Sequence, residues 1–397
     1  MTNTLPILDQ SPTDPGFVQN PYPFYERARR HGPFFHWQDY GLTCAVSAAT
    51  VGAILRDRRF GRKEPSELRK PIPDHQKPFY AVEAHSMLEL EAPTHTRLRG
   101  LVLRAFTSRR IAALQPEIAA LSHQLIDAFP SGDFDLLTHF AQKLPVIIIA
   151  RLLGVPEGRA DDLLAWSNAM VGMYQARRSR AMEDAAAAAA EAFSAFMRAY
   201  VEERRASPAD DLITHLIAAE MEGEKLSTDE LITTCILLLN AGHEATVHTL
   251  GNGVKTLLEN GFAGDALSPD RVAGTTEEIF RFDPALHLFT RWAYEDVELS
   301  GHTFRRGDKV GCLLAAANRD PQIWDGPARF DPVRPAKPNL TFGAGIHFCV
   351  GAPLARLELQ TALPILFERL PGISLAEPPR YANLYHFHGL ESLVLKP

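Results

Sequence analysis

The chain has 397 residues, 46% of them hydrophobic, and its 41 basic and 48 acidic side chains leave a formal net charge of -7. That apolar content can bury a large core, while the acidic balance argues against nucleic acid or an anionic membrane as the main partner. Four cysteines, Cys44, Cys235, Cys312 and Cys349, are scattered without metal-pair spacing, as reduced core residues are.

Residues 1–19, with Asp9, Asp14, Pro6, Pro12 and Pro15, lack the basic start and apolar core of a targeting signal and read as a flexible amino-terminal segment. After Asn-Pro-Tyr-Pro a helix is expected over 24–31, followed by a hairpin from the segment near Phe34 and Leu42–Ala48. Helical patterns then cover about 50–56, 94–105, 108–128, 139–153, 159–174, 180–205 and 227–259. The apolar run Val146–Ala150 stops at Arg151, far short of the roughly 20 residues that span a bilayer. Leu231–Leu250 is mostly apolar and long enough for a buried central helix. It is interrupted by Ala241-Gly242-His243-Glu244-Ala245-Thr246, where a glycine weakens the helix and a buried glutamate needs a partner.

Residues 270–282 are helical until Pro284 stops them. Short strands follow at Val297–Leu299, Gly301–Thr303 and Lys309–Leu314, then a helix over 315–320 and another from Ala352 to Leu363. Size alone suggests two or three domains, yet no linker divides the chain. The expected fold is mainly α with small β regions (α+β): one large domain over residues 20–397, built around a long central helix.

Three local patterns carry chemistry. His95 and Arg99 are four apart and share a helix face, as two donors to one anionic group should. Glu278 and Arg281 are three apart and can pair while reaching a third partner. In Phe342-Gly-Ala-Gly345-Ile-His347-Phe-Cys349-Val-Gly351, glycines permit turns or close approach of a flat ligand. Cys349 lies just before a helix amino end, where amide donors and the dipole favour a thiolate, a soft ligand for haem iron.

This loop resembles the haem-binding signature of the cytochrome P-450 superfamily, with Phe342, Gly343, Gly345, His347, Cys349 and Gly351 at its fixed positions. The resemblance extends from about Asn20 to Leu395 and points to the soluble bacterial branch. It implies haem b (iron protoporphyrin IX) with Cys349 as the iron ligand, Phe342 beside the iron-sulfur bond, and Gly351 closing the loop. His347, His95, Arg99 and Arg291 are implied propionate contacts. Glu278, Arg281 and Arg334 then form a structural network bracing the proximal side.

On the distal side Glu244 matches the family's acid, but Ala245 occupies the place of the threonine that follows it. Thr246 is displaced about 100 degrees around the helix and can bond to a carbonyl one turn back. Proton delivery would then use ordered water, Glu244 through water, or a substrate hydroxyl. Leu238, Ala241, Ala245, Leu286, Leu288, Phe289 and Phe387 are implied pocket residues, with Phe79 and Tyr80 in the roof. Met170, Met173 and Tyr174 match a mobile access region. His243, His248, His287 or His386 could add a polar contact.

The implied function is a cytoplasmic monooxygenase that inserts one atom of dioxygen into a small or medium hydrophobic organic substrate, typically by hydroxylation. The chain contains neither a Gly-x-Gly-x-x-Gly site nor a ferredoxin cysteine pattern. A separate ferredoxin and an NAD(P)H-dependent ferredoxin reductase are therefore the expected electron source for a monomeric enzyme. Arg97, Arg99, Arg104, Arg109 and Arg110 crowd the interval where the acidic ferredoxin would dock. A peroxide-driven haem peroxygenase is the second reading, and a non-catalytic haem sensor or carrier the third.

Overall fold

The computed structural model describes residues 5–175, 177–221, 223–262 and 264–397. A six-stranded sheet gathers residues from both ends of the chain: β1 (Ile7–Leu8), β2 (Phe34–Trp37), β3 (Leu42–Ala45), β4 (Phe60–Gly61), β5 (Leu288–Ala293) and β6 (Lys309–Leu313), in the order β1-β2-β3-β6-β5-β4. The hairpin β2–β3 pairs Phe34 with Ala45, and β6 joins it in parallel, Val310 opposite Thr43. Strand β5 runs antiparallel to β6, Arg291 opposite Val310. Sheet faces and flanking helices enclose two aromatic and aliphatic clusters, while the larger core lies among the helices.

The expectation of a flexible segment over 1–19 is corrected from residue 5 onward; residues 1–4 lie outside the described part. Ile7 and Leu8 pair with β2. Asp14 caps the helix Pro15–Gln19 by accepting from the Phe17 amide at 2.9 Å. Phe17 is buried against Phe24 and Trp37, so an aromatic anchor overrides the proline-rich composition.

The helices that position the site are α1 (Lys77–Glu83), α2 (Thr94–Ala105), α3 (Arg180–Ala206), α4 (Thr228–Glu259), α5 (Val272–Phe282) and α6 (Ala352–Arg369). The single helix expected over 108–128 is two, Ser108–Ala112 and Gln115–Asp127, the second opening with a proline in its first turn. The stretch expected as a helix over 139–153 begins with a π turn at Leu137–Ala141.

Helix α4 is the central element, packed against α3 and α5. Its start is fixed by a capping box: Ser227 Oγ accepts from the Glu230 amide and Glu230 accepts from the Ser227 amide. The helix expected over 227–259 is present, and all 32 of its residues, including the less apolar stretch 241–246, are helical. Gly242 is a packing device, since a Cβ there would stand 2.7 Å from Ile149 Cδ1. Close packing thus offsets a propensity cost of about 1 kcal/mol. No helix among the described residues is long and apolar enough to cross a membrane.

Candidate functional site

The cysteine loop is held from behind. Asn318 Oδ1 accepts from the Leu340 amide at 2.7 Å, its Nδ2 donates to Thr341 Oγ1 at 2.8 Å, and Thr341 donates to the Phe280 carbonyl at 2.6 Å. Gly345 adopts φ +72 and lies against the Leu55 carbonyl so closely that a Cβ would collide with it. The Cys349 amide donates to the Phe342 carbonyl at 3.0 Å, closing the loop just before α6. Phe342 packs on Phe280, with the Arg356 guanidinium over its ring.

Cys44, Cys235 and Cys312 are buried, whereas Cys349 is accessible. Surrounding protein still desolvates its thiol and pushes its pKa up, against the pull of the Gly351 and Ala352 amides and of Arg99 and Arg356. The amides at the helix amino end thus act in the expected direction while burial acts against them, and a bound metal would hold the anion.

The brace expected from Glu278, Arg281 and Arg334 assembles. Arg281 donates twice to Glu278, at 2.7 Å each, and Arg334 Nε donates to Glu278 Oε1 at 3.2 Å. Arg281 also reaches the Asn318 carbonyl at 3.0 Å. Asn318, which carried no sequence signal, is thus the link between the brace and the cysteine loop.

The implied propionate contacts separate into two places. His95 is buried with its ring 4.4 Å from that of His347, and His347 Nε2 lies 3.0 Å from Glu91 Oε1. The Arg62 amide donates to the same oxygen at 2.6 Å. Arg291 is buried beside them and its pKa is lowered to about 10, by desolvation first and then by the like charge of Arg62. Arg99 departs from the expected pairing with His95: its Nη2 donates to the Phe348 carbonyl at 2.7 Å, next to Cys349. Arg62 and Glu91 were not legible in the sequence because no motif contains them.

Among the described residues, His95 Nδ1 and Arg62 Nε are buried without a partner, and the Arg291 side chain makes one hydrogen bond, to the Thr290 carbonyl at 2.8 Å. Buried donors of this kind call for an acceptor. A flat group with an iron near Cys349 and carboxylates near His95, His347, Arg62 and Arg291 fits this donor set.

On α4, Glu244 Oε1 lies 3.2 Å from His248 Nε2, and Oε2 lies 3.6 Å from His243 Nδ1. Burial opposes ionisation of Glu244, but the His248 hydrogen bond, with His243 and His386, outweighs it and holds the carboxyl below its ordinary value. Thr246 donates to the Gly242 carbonyl at 2.8 Å and Thr249 to the Ala245 carbonyl at 2.7 Å. Thr246 is buried, so its hydroxyl is a helix bond rather than a substitute for the one missing at Ala245.

Ala241 is exposed, and Leu238 and Ala245 are half-buried on one side of α4, as an open cavity requires. Phe79 and Tyr80 pack edge to face, and Leu286 bridges to Phe387. Leu288 is half-buried and packs against the Tyr25, Phe35 and Cys44 cluster, and its strand neighbour Phe289 points to the opposite face. Phe289 reaches Gly343 of the cysteine loop. His287 belongs to a buried network, its Nδ1 2.9 Å from the Tyr25 hydroxyl and its ring 4.4 Å from His388.

A family model described as Cytochrome P450 matches residues 19–262 and 273–371. The chain is 35% identical over 387 residues to the Biotin biosynthesis cytochrome P450 of Bacillus subtilis (strain 168), covering 95% of this chain and 96% of that protein. It is also 35% identical over 409 residues to Cytochrome P450 monooxygenase PikC of Streptomyces venezuelae, covering 100% and 95% respectively. The solved structure of P450BioI in complex with hexadec-9Z-enoic acid ligated Acyl Carrier Protein matches with a TM-score of 0.90 at 34% identity, over 96% of this chain and 99% of that one.

Proposed function

Because the chain belongs to the cytochrome P450 family, we propose that Cys349 ligates the haem iron and that His95, His347, Arg291 and Arg62 pair with the propionates. The protein is a haem b monooxygenase, an oxidoreductase that uses dioxygen and redox partners. The reading of its site is carried by one observation: an accessible cysteine in a loop beside buried cationic and imidazole groups, of which His95 Nδ1 and Arg62 Nε lack a partner among the described residues. When bound, haem supplies the activation of dioxygen that places one oxygen atom in the substrate.

The chain's own residues do the rest. Ala241 and Ala245 leave room above the haem, Phe79, Tyr80 and Phe387 exclude water, and the pocket takes a small or medium hydrophobic body. Glu244 holds and moves protons at its carboxylate, oriented by His248. Residues 20–397 act as one domain in a cytoplasmic monomer, with residues 5–19 anchored on it.

Electrons come from a ferredoxin and its NAD(P)H-dependent reductase. Of the arginines proposed for docking, Arg97 is occupied by Glu230 and Glu224, Arg110 pairs with Asp210 at 3.3 Å, and Arg99 is turned to Phe348. Arg104 and Arg109 are exposed and make no ion pair among the described residues, so they are the better docking contacts.

A peroxide-driven reaction is the second reading. It is favoured by the absence of any free hydroxyl at Ala245, Thr246 and Thr249. Labelled dioxygen separates the two. With ferredoxin and reductase present, isotope from dioxygen should enter the product, and Ala245→Thr should change product formed per electron by several-fold while leaving haem content within error. Turnover from peroxide alone, with no label taken from dioxygen, would establish the second reading instead.

A further inference from the structure

The pocket wall contains a polar track as well as apolar residues. Glu83 ends α1, the helix that carries Phe79 and Tyr80, and its Oε1 accepts from the Tyr174 hydroxyl at 3.3 Å. The Tyr174 ring lies 6.3 Å from Phe79 and 5.7 Å from His386. His386 packs against Phe387 at 4.7 Å, Phe387 lies 5.7 Å from His248, and His248 meets Glu244. Glu83 and Glu244 are therefore the two ends of one continuous line of pocket groups.

Glu83, Tyr174, His386 and Glu244 are each half-buried, yet desolvation is the largest influence on all four. Groups that are accessible and desolvated at once line an internal hollow rather than the outer surface. Around Glu83 the charged and titratable neighbours are Glu89, Tyr174 and Arg62. Arg62 is taken by Glu89 at 2.5 Å, and burial holds the nearby His386 neutral with a pKa of about 4. Burial first, and then the Glu89 charge, raises the Glu83 pKa to about 8. Among the described residues Glu83 thus forms no ion pair, its cationic neighbour Arg62 being held by Glu89, and such a carboxyl is stabilised when a cation arrives.

We propose that the substrate carries a basic nitrogen on an otherwise apolar body, and that Glu83, with Tyr174 beside it, receives this group as an ammonium. The proposal rests on the reading of the pocket as the substrate site of a haem monooxygenase and names its substrate class. Binding would convert Glu83 from the protonated to the ionised form, the proton passing to the buffer. Tyr174 orients the carboxylate, and Glu244 keeps its separate partner, His248.

The test uses haem-loaded protein and three probes that share a decyl chain: decyltrimethylammonium, which has no lone pair to offer iron, decanol and decanoate. Titration calorimetry at about pH 7, in phosphate and in Tris, reads affinity and proton release together. The ammonium should bind about ten-fold or more tightly than decanol and release about one proton per site. Glu83→Gln should abolish both the preference and the release. The proton count in the native protein stands even if that variant does not fold. Equal or tighter binding of decanol or decanoate, or ammonium binding without proton release, would overturn the proposal. Failure of the monooxygenase reading would show separately, as loss of the thiolate-type carbon monoxide spectrum in the untreated protein.

Discussion

Glu278 meets Arg281, Arg334 and the Asp331 amide with both carboxylate oxygens bonded, whereas His95 Nδ1 and Arg62 Nε, both buried, have no partner among the described residues. In the brace the protein satisfies its own charges, and the result is a rigid support for the cysteine loop through Asn318. Around His95 and Arg291 the acceptors are not supplied by the chain, and the unmet donors mark where a ligand belongs. Unpartnered buried atoms occur elsewhere in the scaffold too; around His95 they coincide with the cysteine loop and with Arg291, and that coincidence is what supports a ligand there.

The largest effect should come from breaking the brace. Arg281→Ala leaves the Glu278 carboxylate, whose side chain is 3% exposed, without its main partner, and should destabilise the fold by about 3–5 kcal/mol. Denaturant unfolding measures this, and haem retention should fall with it. A loss below about 1 kcal/mol would mean the brace behaves as a surface pair and the contrast is false.

Glu358 on α6 sharpens the contrast as an exception within the scaffold. It is 1% exposed, its Oε1 lacks a partner among the described residues, and desolvation raises its pKa to about 8. A carboxyl with a raised folded pKa contributes stability fully below its unfolded value, near 4.5, and loses it as pH rises toward the folded one. Stability should therefore decline from about pH 4.5 to about 8, by on the order of 2–4 kcal/mol from this group. Glu358→Gln should remove that decline, which unfolding curves across the interval would reveal; an unchanged pH dependence would show that Glu358 finds a partner.

The smallest effect is at the surface. Arg109→Glu should slow reduction by an acidic ferredoxin a few-fold at low salt, with the difference closing as salt screens it. Dithionite reduction should be unaffected. Stopped-flow traces with equal rates and salt slopes for native and variant proteins would remove Arg109 from the docking surface.

Legibility in the sequence follows the range of the interactions. Cys349 and its glycines form one contiguous loop, and Glu278 with Arg281 one helical turn, so local spacing revealed them. Arg62, Glu91, Glu83 and Asn318 act through partners at least 22 residues away or through tertiary packing, as with Leu340 N and Asn318, and no local pattern announces them. Helix α4 was legible as a whole, but the use of Gly242 was not, because the Ile149 side chain that packs against it comes from a distant part of the chain. Strand β5 was read only as pocket residues and the propionate contact Arg291, since its residues show no strict alternation of apolar and polar side chains. The amino-terminal segment misled for a related reason: its prolines signal disorder, but one aromatic, Phe17, fixes it.

The most direct measurement compares the reduced carbon monoxide spectrum of the native protein with that of Cys349→Ala. The native protein should show the strongly red-shifted Soret band of thiolate-ligated haem, and the variant should lose it while retaining its helical circular dichroism, because the proposed role of the accessible Cys349 is ligation rather than support. An unchanged band in the folded variant would contradict the assignment of Cys349 and of the unmet donors around it as the haem site.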